Sequence, residues 1–215
     1  MPDPVPDPAT DIAVIMRTSA VIPVLVIDDV ATAKPLAEAL VAGGLRVLEV
    51  TLRTPAAFDA IRAMKQVPGA IVGAGTVVNP SQFAQAMDAG VEFIVSPGLT
   101  ETLARPIIAS GVPFLPGVSD AADIMRGMDL GLTHFKFFPA EASGGLKALK
   151  ALAGPFFQCR FCPTGGITEA NAAEWLAFDR VLCVGGSWLT GAGATMADVR
   201  AKAQAATALR GTGQR

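Results

Sequence analysis

Arg46-Val47-Leu48-Glu49-Val50-Thr51-Leu52 is followed by a helical segment over residues 55–66, by Gly69, and by a second apolar run, Ala70-Ile71-Val72-Gly73. Strand, helix, glycine and strand in that order form a βαβ unit, whose two strands lie parallel with the helix covering them. The same unit repeats along the chain. Apolar runs stand at residues 21–27, 46–52, 70–73, 92–95, 113–115, 134–137, 160–162 and 181–184. Alanine-rich helical stretches lie between and after them, at 31–42, 55–66, 80–89, 101–110, 120–130, 145–153, 169–177 and 196–209. Gly43, Gly69, Gly90, Gly111, Gly131 and Gly154 follow six of these helices, where a left-handed residue ends the helix and turns the chain into the next strand.

Continuous apolar strands alternating with helices predict a parallel sheet covered by helices. Eight units in 215 residues suit a closed (β/α)8 barrel, the TIM barrel, at the small end of its size range. An open doubly wound sheet is the competing architecture, and no G-x-G-x-x-G opens a helix after the first strand to support it. A further helix over residues 10–17 precedes the barrel and is expected to close its lower end. One domain spanning residues 1–215 is expected, with the acidic, proline-rich residues 1–8 as a tail. That tail has no basic region and does not read as a signal peptide.

Composition narrows the function. Hydrophobic residues make up 51% and the mean hydropathy is +0.46, yet the apolar runs are short and broken, so no membrane span is expected. A net charge of −2 without a basic cluster argues against a nucleic-acid partner. Three cysteines and one histidine suit a reduced, cytoplasmic setting and give no pair at zinc-ligand spacing, although carboxylate magnesium sites stay open. Cys159 and Cys162 have redox-pair spacing, but residues three apart on a strand point to opposite faces. They read as small core residues.

If the barrel is right, chemistry belongs at the C-terminal ends of the strands. Alternation places Glu49, Thr51 and Arg53 on one face and Leu48, Val50 and Leu52 on the other. Facing inward, Glu49 is an expensive carboxylate unless paired or used, with Arg53 and Lys136 as the candidate partners. Lys136 sits in the apolar His134-Phe135-Lys136-Phe137-Phe138-Pro139. A lysine there either snorkels to water or stays desolvated, which disfavours the ammonium and frees a nucleophilic amine. Such an amine condenses with a ketone to an imine, an electron sink for making or breaking a C–C bond. His134 shares its parity two residues deeper and reads as packing.

Small and hydroxylated residues end the other strands: Gly73-Ala74-Gly75-Thr76, Ser96-Pro97-Gly98 and Pro116-Gly117. After the seventh comes Pro163-Thr164-Gly165-Gly166-Ile167-Thr168, and after the eighth Gly185-Gly186-Ser187. Glycine-rich loops after strands seven and eight are the usual phosphate site of this architecture.

These segments resemble the 2-keto-3-deoxy-6-phosphogluconate (KDPG) and 4-hydroxy-2-oxoglutarate (KHG) aldolases. The resemblance rests on Leu48-Glu49-Val50-Thr51-Leu52-Arg53-Thr54, Gly73-Ala74-Gly75-Thr76-Val77, Ser96-Pro97-Gly98 and Phe135-Lys136-Phe137-Phe138-Pro139-Ala140-Glu141. It continues in Phe161-Cys162-Pro163-Thr164-Gly165-Gly166 and Gly185-Gly186-Ser187-Trp188-Leu189. It implies a homotrimeric barrel acting as a class I aldolase without cofactor or metal, on a small keto-acid sugar phosphate in the Entner-Doudoroff pathway. Lys136 would form the Schiff base and Glu49 would shuttle protons. Arg53, Thr76 and Pro97 would hold the carboxylate, and Thr164 the hydroxyl or carbonyl region. Gly165, Gly166, Gly186 and Ser187 would take the phosphate. KHG or the galactonate epimer of KDPG are alternative substrates within the family. A sugar-phosphate isomerase or epimerase is the alternative of another class.

Overall fold

The computed structural model describes residues 11–191 and 193–209; the expected tail at residues 1–8 lies outside them. Among the described residues nine strands run in the order β1 (Val21–Leu25), β2 (Val47–Thr51), β3 (Ile71–Gly75), β4 (Phe93–Val95), β5 (Phe114–Leu115), β6 (Gly117–Val118), β7 (His134–Phe137), β8 (Arg160–Pro163) and β9 (Val184–Gly186). All pairings are parallel. β5 and β6 are two halves of one strand path divided at Pro116. The first half pairs with β4 and the second with β7, while the Pro116 carbonyl accepts from Lys136 N–H at 2.8 Å. Single bridges, Phe161 to Val181 and Thr164 to Gly185, join β8 to the last strand, and β9 pairs with β1. The ring closes as an eight-position (β/α)8 barrel.

The helices are α1 (Ile12–Thr18), α2 (Val30–Ala42), α3 (Ala57–Met64), α4 (Pro80–Asp88), α5 (Glu101–Ser110), α6 (Ala121–Asp129), α7 (Gly145–Ala153), α8 (Ala172–Leu176) and α9 (Met196–Ala208). The side chains of Asp11, Asn79, Asp120 and Thr195 accept from backbone N–H groups of their first turns, satisfying donors that have no partner within the helix. Among the described residues no helix is long and apolar enough to cross a membrane.

Strand alternation divides the apolar side chains into two layers. Leu48, Val50, Val72, Ile94, Phe135, Phe137 and Phe161 face outward beneath the helices. Ile22, Val47, Phe93, Val95, Leu115 and Cys162 fill the barrel. Ile15 and Met16 of α1 join that inner cluster, so the helix closes the lower end as expected. Cys159 packs in the outer layer and Cys162 in the inner one. Both are free thiols.

The structure corrects several expected boundaries. The last strand is Val184–Gly186 rather than residues 181–184, because it is Val184, Gly185 and Gly186 that register with Val21, Ile22 and Pro23. The helix expected over 169–177 starts at Ala172, since Thr168 and Asn171 exchange side-chain bonds with each other's backbone and hold a turn there. Gly43 and Gly154 are not left-handed, with φ of −81° and −55°. Gly43 is instead a contact point, where a Cβ would lie 2.4 Å from that of Ala203 on α9. β2 ends at Thr51, so the face of Arg53 is not set by alternation.

His134 opens β7 at the barrel floor, with Nδ1 3.2 Å from Thr133 Oγ1. Burial lowers its pKa from 6.5, with Arg160 and Arg17 acting the same way and Asp11 opposing them. The folded state therefore binds this proton less readily than the unfolded chain, and the stability so gained is present above pH 6.5 and declines as pH falls below it. Urea unfolding of His134→Gln should show a shallower loss of stability between about pH 6.5 and pH 5 than the parent chain. Identical slopes would contradict this placement.

Candidate active site

β2 and β7 stand four positions apart around an eight-position ring, so their inward side chains meet across the barrel. Glu49 from β2 and Lys136 from β7 are 3% and 5% exposed, and Lys136 Nζ donates to Glu49 Oε1 at 3.2 Å. Of the two partners expected for Glu49, the structure selects Lys136. The Nζ also lies 5.2 Å from the centre of the Phe138 ring. Gly75 at the end of β3 makes the crossing possible: a Cβ there would fall 2.2 Å from Glu49 Oε1. The glycine that ends this strand thus leaves room for the carboxylate.

Beside Lys136 on the neighbouring strand lies its register partner Cys162, and Cys183 shares the inner layer with it. Burial pushes the Cys183 thiol well up, and a hydrogen bond with Cys162 adds to the effect. It stays protonated, a neutral lining rather than a nucleophile.

Arg53 and Thr76 stand just past the ends of neighbouring strands, where Thr51 registers with Gly75 and Leu52 N–H donates to Gly75 O at 2.8 Å. Arg53 is exposed and makes no hydrogen bond or ion pair with the described residues. Thr76 has φ +60°, the left-handed region, unusual for a β-branched residue and costing on the order of 1–3 kcal/mol. Val77 N–H, bonded to Val95 O at 3.2 Å, anchors that turn. Pro97 follows β4, and a Cβ on Gly117 would lie 2.1 Å from its carbonyl oxygen. Glycine on β6 thus lets the Pro97 turn come close to the strand beside Lys136.

Thr164 is 6% exposed and its N–H bonds Phe137 O at 3.0 Å, next to Lys136. Gly165 and Gly166 follow with φ of +97° and +82°. The carbonyls of Thr164, Gly165 and Gly166 accept from Ala140 N–H, Glu141 N–H and Asn171 Nδ2. The N–H groups of Gly165, Gly166 and Ile167 have no acceptor among the described residues. The loop carrying Gly186 and Ser187 lies alongside through the Thr164–Gly185 bridge. With the carbonyls drawn back, N–H groups are left open to the barrel mouth, the arrangement of a backbone nest. The donors belong to the loops: α8, the helix that follows, has five residues and adds little dipole.

Among the described residues no group of three His, Cys, Asp or Glu side chains is placed to hold a metal.

A parallel barrel with a buried lysine–carboxylate pair across its interior and a glycine loop beside it fits the class of lysine-bearing barrel lyases. The particular family follows from comparison with known proteins. The model of the KDPG and KHG aldolases matches residues 12–205, and the chain belongs to that family. It is 58% identical over 201 residues to the 2-dehydro-3-deoxy-phosphogluconate aldolase of Zymomonas mobilis, covering 93% of this chain and 97% of the relative. The structure of the Zymomonas mobilis ZM4 KDPG aldolase with 3-phosphoglycerate superposes with a TM-score of 0.93 at 57% identity, covering 95% of this chain and 99% of that one. The Legionella pneumophila KDPG aldolase, captured with pyruvate as a covalent carbinolamine, superposes with a TM-score of 0.83 at 44% identity, covering 93% and 96%.

The ion pair yields a direct stability test. Removing one partner strands the other charge in the barrel, so Lys136→Met should cost about 3–5 kcal/mol in urea unfolding at neutral pH. Adding Glu49→Leu should recover most of it. A double variant no more stable than the single one would contradict the pairing.

Proposed function

We propose that this protein is a class I aldolase cleaving KDPG to pyruvate and glyceraldehyde 3-phosphate, with Lys136 as the Schiff-base residue. The observation that carries the reading is the buried Lys136–Glu49 contact at 3.2 Å, in a chain whose relatives are aldolases. The amine attacks C2 of the keto acid to give a carbinolamine. Among the described residues Glu49 is the only carboxylate hydrogen-bonded to it, and is placed to accept a proton and return one as water leaves. Loss of the C4 hydroxyl proton and cleavage of C3–C4 send the electron pair into the protonated imine. Glyceraldehyde 3-phosphate departs, the enamine takes a proton at C3, and water releases pyruvate and the amine.

Arg53 and Thr76 at adjoining strand ends, with the Pro97 turn, are proposed to hold the carboxylate. The exposed guanidinium offers a planar fork for it. Thr164 beside Lys136 would bind the hydroxyl or carbonyl region. Gly165, Gly166, Gly186 and Ser187 would take the phosphate on the open N–H groups and the Ser187 hydroxyl. These loops favour a phosphorylated substrate over KHG. The proposal includes a cytoplasmic homotrimer, as the resemblance implies.

Folded Lys136→Met should release pyruvate from KDPG at least about a thousandfold more slowly than the parent chain, by a lactate dehydrogenase-coupled assay. Turnover near the parent level would exclude the Schiff base. Ser187→Ala should weaken use of KDPG by roughly tenfold or more, the loss of one bond to a charged group. Its exchange of the methyl protons of pyruvate, which needs no phosphate site, should be spared. Equal losses on both would mean that the phosphate lies elsewhere.

A further inference from the structure

Glu141 has no part in the chemistry above, yet its carboxylate holds the two side chains, Asn171 and Trp175, that stand next to the glycine loop. It leaves β7 five residues after Lys136. Its Oε1 accepts from Trp175 Nε1 at 3.2 Å and from Asn171 Nδ2 at 3.3 Å. The same Nδ2 donates to Gly166 O at 3.2 Å, and Asn171 Oδ1 accepts from Thr168 N–H at 2.8 Å. The backbone N–H of Glu141 donates to Gly165 O at 3.1 Å. Its methylenes floor the loop: a Cβ on Gly166 would lie 2.4 Å from Glu141 Cγ. Trp175 is buried, its ring 6.4 Å from that of Phe137.

Two consecutive left-handed glycines have many other conformations open to them, and holding one costs backbone entropy. We propose that Glu141 is the positioning residue of this loop. Its carboxylate clamps Asn171 and Trp175, Asn171 fixes the Gly166 carbonyl, and the N–H groups of Gly165, Gly166 and Ile167 stay assembled for the substrate phosphate. A carboxylate at this place opposes a phosphate by charge, so its contribution is geometric. Its two side-chain donors are neutral groups of the following turn and helix. The proposal rests on the reading of the loop as the phosphate site.

The test is kinetic, on the full chain. In Glu141→Ala the KM for KDPG should rise by roughly tenfold, while borohydride capture of pyruvate on Lys136 keeps the parent rate. Glu141→Gln, whose amide oxygen can accept the same two bonds, should restore KM to within about threefold. If the alanine variant does not fold, Trp175→Phe keeps the ring, deletes one donor, and should raise KM without slowing capture. An unchanged KM, a matching fall in pyruvate capture, or a glutamine variant no better than alanine would overturn the proposal. Absence of the pyruvate adduct in the parent chain would instead overturn the functional reading, and so the two failures are distinct.

Discussion

The structure depends on placing a lysine and a glutamate where water barely reaches them. Two ionisable side chains, each at most 5% exposed, are tolerable inside a barrel only if they face each other, because the cost of desolvating either alone is several kcal/mol. The closed ring meets that condition by setting β2 opposite β7, and the parallel direction of the strands brings the two side chains to a common height. Mutual satisfaction stabilises the fold and keeps an amine beside a proton acceptor.

Other features accommodate that pair. Gly75 clears space for Glu49, and Gly117 draws the Pro97 turn close to β7. Apolar and thiol side chains of the inner layer exclude water, and α1 closes the floor with Ile15 and Met16. Above, the strand ends diverge into turns with different tasks. Thr76 is held in a strained conformation next to Arg53. The loop after β8 is drawn back by its carbonyls, and its N–H groups are left open. In the proposed reading the barrel interior carries the covalent step, whereas the loops select the distal group.

Much of this was legible in the sequence, because period-two alternation exposes a polar residue on an apolar strand. His134–Phe137 was bounded correctly for that reason, and the inward parity of Glu49 and Lys136 follows from it. The last strand was displaced because hydrophobicity marks Val181-Leu182-Cys183-Val184, while the ladder to β1 is made by backbone groups that include two glycines. β6 was missed because Pro116-Gly117 reads as a turn, although only the proline N–H is lost and its carbonyl still joins the ladder. The Glu141 network was invisible for another reason. It joins residues 30 and 34 positions apart, a distance that no local pattern encodes. The only sequence-level hint was the presence of Glu141 at the end of the Phe135–Glu141 motif.

The central claim is that Lys136 forms a covalent bond to a ketone carbon. The most direct measurement is peptide mass spectrometry after incubation with pyruvate and borohydride. A reduced pyruvyl adduct on Lys136, absent without pyruvate, is the result expected. An adduct on another lysine, or none on a fully active preparation, would contradict the account.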